Sequence, residues 1–147
     1  MADSAIQITR ATLGEGYSRN QLRHAMKAYA RVHFKNMAPV LIESSGQKVK
    51  ITMSGIDHSM THFHDENIIH ALTELPEIIR RGKKRAVDSK EPYEGHRQDV
   101  DFVERYYTPV EICGSKYEAE VVIFVLKDGE GRLESSIFYH QSLRADL

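Results

Sequence analysis

Three of the chain's eight histidines fall within seven residues, in the stretch Ser54-Gly55-Ile56-Asp57-His58-Ser59-Met60-Thr61-His62-Phe63-His64-Asp65. Imidazole takes up or gives a proton near neutral pH, and its neutral ring is a common metal ligand. His58 and His62 stand four apart, so on a helix they share one face. Two chemistries fit such a cluster, general acid–base catalysis and metal binding. A zinc site would draw on His58, His62 and His64 with Asp57 or Asp65, because catalytic zinc takes three protein ligands and keeps one position open. The H-E-x-x-H pattern is absent, since positions 59 to 61 are Ser, Met and Thr. His62 and His64, two apart, do not share a helical face. Acid–base work is therefore the favoured reading. The structural alternative is that His58 bonds a backbone carbonyl and fixes the start of a helix while His62 supports it. His64 reads as solvated, and His24, His33, His70 and His96, which have no constellation around them, read as surface residues.

The elements that must position these groups are legible in outline. Ser18 is an N-cap for a helix over 19–35, with Leu22, Ala25, Met26, Tyr29 and Val32 at helical spacing. Val49, Ile51 and Met53 alternate with Lys50 and Thr52, the pattern of a half-buried strand. Ser54 with Asp57 three residues on resembles a capping box, so the histidine segment should open a short helix. A second helix should start at the N-cap Asp65, bury Ile68, Ile69, Leu72 and Leu75, restart at Pro76 and end at Gly82. The basic run Arg80–Arg85 reads as that helix's C-terminus complementing its dipole. Residues 85–98 read as a polar loop. Three strands should follow at 102–113, 116–127 and 133–140, joined as a meander. Helices first and strands last predict an α+β fold, with N-terminal helices packed on a C-terminal antiparallel β-sheet, in one domain over 1–147.

Composition narrows the functional classes. The chain has 147 residues, 41% hydrophobic and 28% charged, enough for one domain with a core. No apolar run approaches the roughly 20 residues that span a bilayer, and no membrane partner is expected. Met1–Ala5 lacks the basic and apolar regions of a secretory signal, so a cytoplasmic site of action is expected, including after delivery into a target cell. Cys113 is the only cysteine, which excludes an internal disulfide and a multi-thiolate metal site. A net charge of −1 is not that of a strongly basic nucleic-acid binder.

The runs Gly55–His62 and Ala71–Ile79, with the hairpins Val110–Tyr117 and Ile137–His140, resemble the barnase-like domains of large polyvalent phage and mobile-element proteins and of polymorphic toxins. The resemblance covers residues 40–143, with the N-terminal helix as an extension. It implies the barnase/EndoU/colicin/RelE nuclease fold, RNA as substrate, no cofactor, and an immunity or inhibitor protein as partner where the domain serves as a toxin. The chemistry so implied is metal-independent RNA cleavage. One group takes the 2′-hydroxyl proton, another protonates the leaving oxygen, and cations neutralise the phosphorane. On that reading His58 and His140 form the acid–base pair and His62 supports His58. Arg105, Lys116 and Lys127 neutralise phosphate, and Tyr107 and Tyr139 stack on bases. Asp57 departs from the basic residue that the family often carries before its first histidine. A non-catalytic domain of the same fold that binds RNA or a protein is the main alternative.

Overall fold

Alternating apolar residues in the last third of the chain form three long strands, β5 (Val100–Ile112), β6 (Ser115–Leu126) and β7 (Gly131–His140), paired antiparallel as a meander. The computed structural model describes residues 5–61, 66–85, 91–93 and 95–140, with the backbone only for Glu91, Pro92 and His140. Ahead of the meander come β1 (Ile6–Ile8), α1 (Arg19–His33), β2 (Val40–Leu41), β3 (Lys48–Lys50), α2 (Met53–Thr61), α3 (Glu66–Ala71), a 3-10 turn (Leu72–Glu74), α4 (Leu75–Arg80) and β4 (Glu91–Pro92). The sheet order is β1-β5-β6-β7-β3-β2, and β4 also pairs with β5. The sheet is mixed rather than purely antiparallel, because β1 lies parallel to β5 and β3 lies parallel to β7. β1 has only three residues, too few for a periodic signal, while β3, which the alternation from Val49 predicts, stops at Lys50 because Met53 already opens α2. Their pairing is decided by the open edges of the meander rather than by local sequence.

One face of the meander, with Tyr106, Val110, Ala119, Val121, Ile123, Leu133 and Phe138, joins the core against the helices. Leu22, Met26 and Ala30 of α1 belong to the same core, so the N-terminal helix is integral to the fold rather than an extension. Ser18 caps α1 as the sequence predicts: its Oγ accepts from Gln21 N at 3.3 Å, and its own N–H donates to Gln21 Oε1 at 2.9 Å. The cap of α2 is different. Thr52 Oγ1, not Ser54, accepts from Gly55 N at 2.9 Å, and it donates to Leu133 O on β7 at 3.1 Å. Ser54 therefore lies inside the first turn, since a cap that also reaches the sheet satisfies two elements at once. The restart at Pro76 appears as the 3-10 turn before α4. The N-cap assigned to Asp65 lies outside the described residues.

Two further expectations are corrected. His70 is 3% exposed, buried with Ile68, Ile69 and Ala71 on the short α3. The basic run does not simply complement a dipole. Arg80 pairs with Glu77 and Glu43, Arg81 with Glu77, Lys84 with the buried Glu104, and Arg85 with Glu118. Hydrogen bonds from Arg80, and then Arg81, hold the Glu77 carboxyl below its usual range. The run thus clamps α4 to β5, β6 and the segment before β3. Glu104 also lies 3.1 Å from the hydroxyl of the buried Tyr106, whose pKa is pushed up to about 12, chiefly by burial.

Candidate functional site

The histidine motif sits where α2 lies along the open edge of β7. Gly55 permits the contact: a Cβ there would stand 2.5 Å from Leu133 O and 2.8 Å from Leu133 Cγ. One turn later Ser59 Oγ donates to Gly55 O at 2.7 Å and accepts from Ser136 N at 2.8 Å, fastening the helix to the strand. Opposite this turn β7 is irregular. Val122 pairs with Ser135 and Ile123 with Leu133, which leaves Glu134 as an extra residue. Such bulges re-aim the side chain they carry. Here the Glu134 carboxylate meets the exposed flank of α2, with Oε1 2.5 Å from His58 Nδ1. The same ring nitrogen is 3.3 Å from Glu134 O. A carboxylate on Nδ1 makes that nitrogen the protonated one and turns Nε2 into the proton acceptor.

The His58–Glu134 pair lines a cleft of about 250 Å³ together with Thr52, Ser54, Phe124, Arg97 and Arg132. Arg97 forms a two-bond pair with Asp99 at 2.8 and 3.1 Å, which holds the Asp99 carboxyl below its usual range. Its guanidinium also lies 5.8 Å from the Phe124 ring centre, and Tyr93 packs edge-on to Phe124 at 5.2 Å. Arg132 Nε lies 3.3 Å from Glu130 Oε1. On the outer side of α2, Asp57 pairs with Lys27 of α1 at 2.9 Å. The cleft thus combines an oriented imidazole, two guanidinium groups and an aromatic ring, the parts needed to hold a phosphodiester and move a proton beside it.

The other sequence-predicted residues divide into groups. His62 and His64 lie outside the described residues. The His140 backbone pairs with Tyr117, six residues beyond Glu134. That is roughly 20 Å of strand between the two backbones, and the His140 side chain lies outside the described residues. Lys116 and Lys127 are exposed near opposite ends of β6. Arg105, Tyr107 and Tyr139 do come together, on the sheet face away from the core, around Glu120. Tyr107 Oη donates to Glu120 Oε2 at 2.9 Å, Tyr139 Oη lies 3.3 Å from Oε1, and Arg105 Nη1 lies 3.5 Å from Oε1. Arg85 stacks over Tyr107 at 3.8 Å from the ring centre and pairs with Glu118. Glu120 is four residues along β6 from Phe124, roughly 13 Å, so this network is a second cluster rather than part of the His58 cleft.

Sequence reasoning missed Glu134, Glu120, Arg97 and Arg132. Glu120 carried a signal, a carboxylate inside the apolar run Ala119–Ile123. Glu134 carried none, because a bulge depends on how two strands settle into register. Arg97 fell in the segment read as a loop, yet it docks on Phe124 of the sheet. Among the described residues no group of three or more His, Cys, Asp and Glu side chains is placed to hold a metal ion. Among them, too, no helix is long and apolar enough to cross a membrane.

Fold and site together define an α+β domain whose early helices pack on a C-terminal meander and carry a histidine at the sheet edge. The protein-family model described as large polyvalent protein-associated domain 3 matches residues 17–139, and the chain belongs to that family. The match takes in α1, which the resemblance drawn from the motifs left out. Comparison with curated proteins and with solved structures finds no match.

Proposed function

We propose that this domain is a metal-independent endoribonuclease of a phage or toxin-type polyvalent protein, with a barnase-like arrangement of helices on a sheet and His58 as its proton-transfer group. The observation that carries the reading is the His58 ring held through Nδ1 by Glu134 in a cleft that also holds Arg97, Arg132 and Phe124. In this reading Nε2 takes the 2′-hydroxyl proton, and the Glu134 carboxylate steadies the imidazolium that results. The 2′ oxygen attacks phosphorus while Arg97 and Arg132 neutralise the non-bridging oxygens. The 5′ oxygen leaves, and protonated His58 returns the proton to it, so a 2′,3′-cyclic phosphate remains. Phe124 offers a face on which a base stacks.

A second reading has its own observation. Arg97 pairs with Asp99, Arg132 with Glu130, Arg105 with Glu120 and Arg85 with Glu118. Carboxylates so placed reduce the positive potential an RNA backbone would meet, and this favours a non-catalytic domain that binds a protein partner.

Incubating the protein with total RNA in EDTA, beside His58→Ala and Glu134→Gln, tests both readings. Cleavage is expected to survive EDTA, to leave cyclic phosphate ends and to spare DNA. His58→Ala should lose about 10²- to 10⁴-fold in rate with little change in thermal stability. Intact RNA with the unaltered protein would favour the binding reading. Cleavage abolished by EDTA and restored by zinc would favour a hydrolase that uses His58 with His62 and His64.

A further inference from the structure

The chain has one more acidic than basic residue, yet residues 16–42 hold five of its Lys and Arg and none of its Asp and Glu. Four of the five, Arg19, Arg23, Lys27 and Arg31, occupy every fourth position of the 15-residue α1, and Lys35 continues the interval into the turn beyond it. Positions four apart on a helix form one row, with a repeat of about 6 Å. Like charges at that interval repel, and α1 holds no carboxylate to offset them. Arg23 and Lys27 also fasten α2, since Arg23 Nη2 donates to Met60 O at 3.0 Å and Lys27 Nζ lies 2.9 Å from Asp57 Oδ1. Asp57 is the only carboxylate of α2, so that pair cancels the one negative charge on the two helices. Arg31 and Lys35 are exposed, and among the described residues neither is ion-paired with a carboxylate. They differ in this from Arg85, Arg97, Arg105 and Arg132, each of which has a carboxylate partner.

We propose that this row is a track for the phosphate backbone of single-stranded RNA, leading the strand over α2 toward the His58 cleft. The inference rests on the ribonuclease reading only in taking RNA as the polyanion. The two helices run in opposite senses, because Arg23 meets Met60 while Lys27 meets Asp57. Continued by one turn, the same register brings Arg31 beside the start of α2, where Thr52 and Ser54 line the cleft. From Arg19 to Arg31 the row extends about 18 Å, a shape that suits a strand with one charge per unit better than a compact anion. A lipid surface fits less well. Val32, 78% exposed, is the one large apolar side chain that α1 presents to solvent, whereas a helix that lies in a membrane interface buries a whole apolar face. Lys27 has a further part in the track, since by holding Asp57 it removes the repulsion a phosphate would meet one residue before His58.

Fluorescence anisotropy with a short 2′-O-methyl RNA measures the track without cleavage, because the attacking hydroxyl is blocked. For the intact chain, the logarithm of affinity should fall linearly with the logarithm of salt concentration. Arg31→Gln combined with Lys35→Gln should make that slope shallower by about 1.4, from two phosphate contacts at about 0.7 each on a single strand. Arg31→Lys, which keeps the charge, should leave the slope as it is. Both side chains are exposed, so the double variant should unfold at the parent's temperature. Total RNA left intact, with the oligomer still bound through Arg31 and Lys35, would remove the ribonuclease reading and keep the track. An oligomer that does not bind, or a slope the double variant does not change, would overturn the track even where RNA is cleaved. So would binding to phosphatidylserine vesicles or to polyglutamate that the double variant loses while its RNA slope stays the same.

Discussion

Replacing Gly55 with alanine tests the packing that brings His58 to Glu134. A Cβ at this position would stand 2.5 Å from Leu133 O, 2.8 Å from Leu133 Cγ and 3.0 Å from Leu133 Cδ2. The carbonyl belongs to a paired strand and cannot swing aside. To restore ordinary contact at 3.4 Å, α2 must retreat from β7 by about 0.9 Å. A retreat of that size would break the buried bond from Ser136 N to Ser59 Oγ, now 2.8 Å. Leaving such a donor unsatisfied costs about 1–3 kcal/mol. Holding the helix in place instead costs about 1–3 kcal/mol of overpacking strain. Against either route stands the gain of about 1 kcal/mol from alanine's better helix propensity. The net loss is about 0–2 kcal/mol, or a Tm lower by up to about 8 °C for a domain of this size. Thermal unfolding followed by circular dichroism measures it, with Ser54→Ala on the exposed flank of the same helix as the control. The His58 ring signals should shift as well, because the ring moves with the helix. A Gly55→Ala protein more stable than the parent would refute the reasoning.

Thr52→Ala should cost about 1–2 kcal/mol by removing the N-cap of α2, whereas Ser54→Ala should cost less than about 0.5 kcal/mol; urea unfolding of the two variants separates the caps. Stability should fall with acid through His70. Burial, and then Arg10, lower its pKa from the ordinary imidazole value of 6.5, opposed by Glu15 and Glu66. The unfolded chain therefore binds the proton more readily, and the contribution present above pH 6.5 is lost as pH falls through the folded-state value. His70→Gln, which cannot titrate, should flatten that part of a stability-versus-pH curve, and an unchanged slope would count against it. Glu120→Ala should destabilise by about 1–3 kcal/mol in a urea titration, because Tyr107, Tyr139 and Arg105 lose a shared acceptor, while Glu120→Gln keeps one acceptor oxygen and should cost less.

The sequence by itself determined the elements whose signals are local. Ser18 with Gln21 announced α1, alternation announced β5, β6 and β7, and Pro76 announced a restart between α3 and α4. Each depends on residues within a few positions of one another, so propensity and periodicity suffice. The motif Gly55–His62 likewise singled out the segment that lies along β7, whereas the common face of Arg105, Tyr107 and Tyr139 comes from the strand register. What the sequence could not specify was partnership across the chain. Glu134 meets His58 because a bulge shifts the register of β7 against β6, and Thr52 outranks Ser54 as a cap because its hydroxyl also reaches Leu133. His70 is buried although its neighbours in sequence do not require it, because α1, α3 and the β1–α1 loop close over one spot. His58 and His140 were paired for their chemistry alone, and how far the His140 backbone lies from Glu134 along β7 emerges only from the strand register. These outcomes depend on register, edge pairing and helix placement, which arise only when segments far apart in the chain pack together.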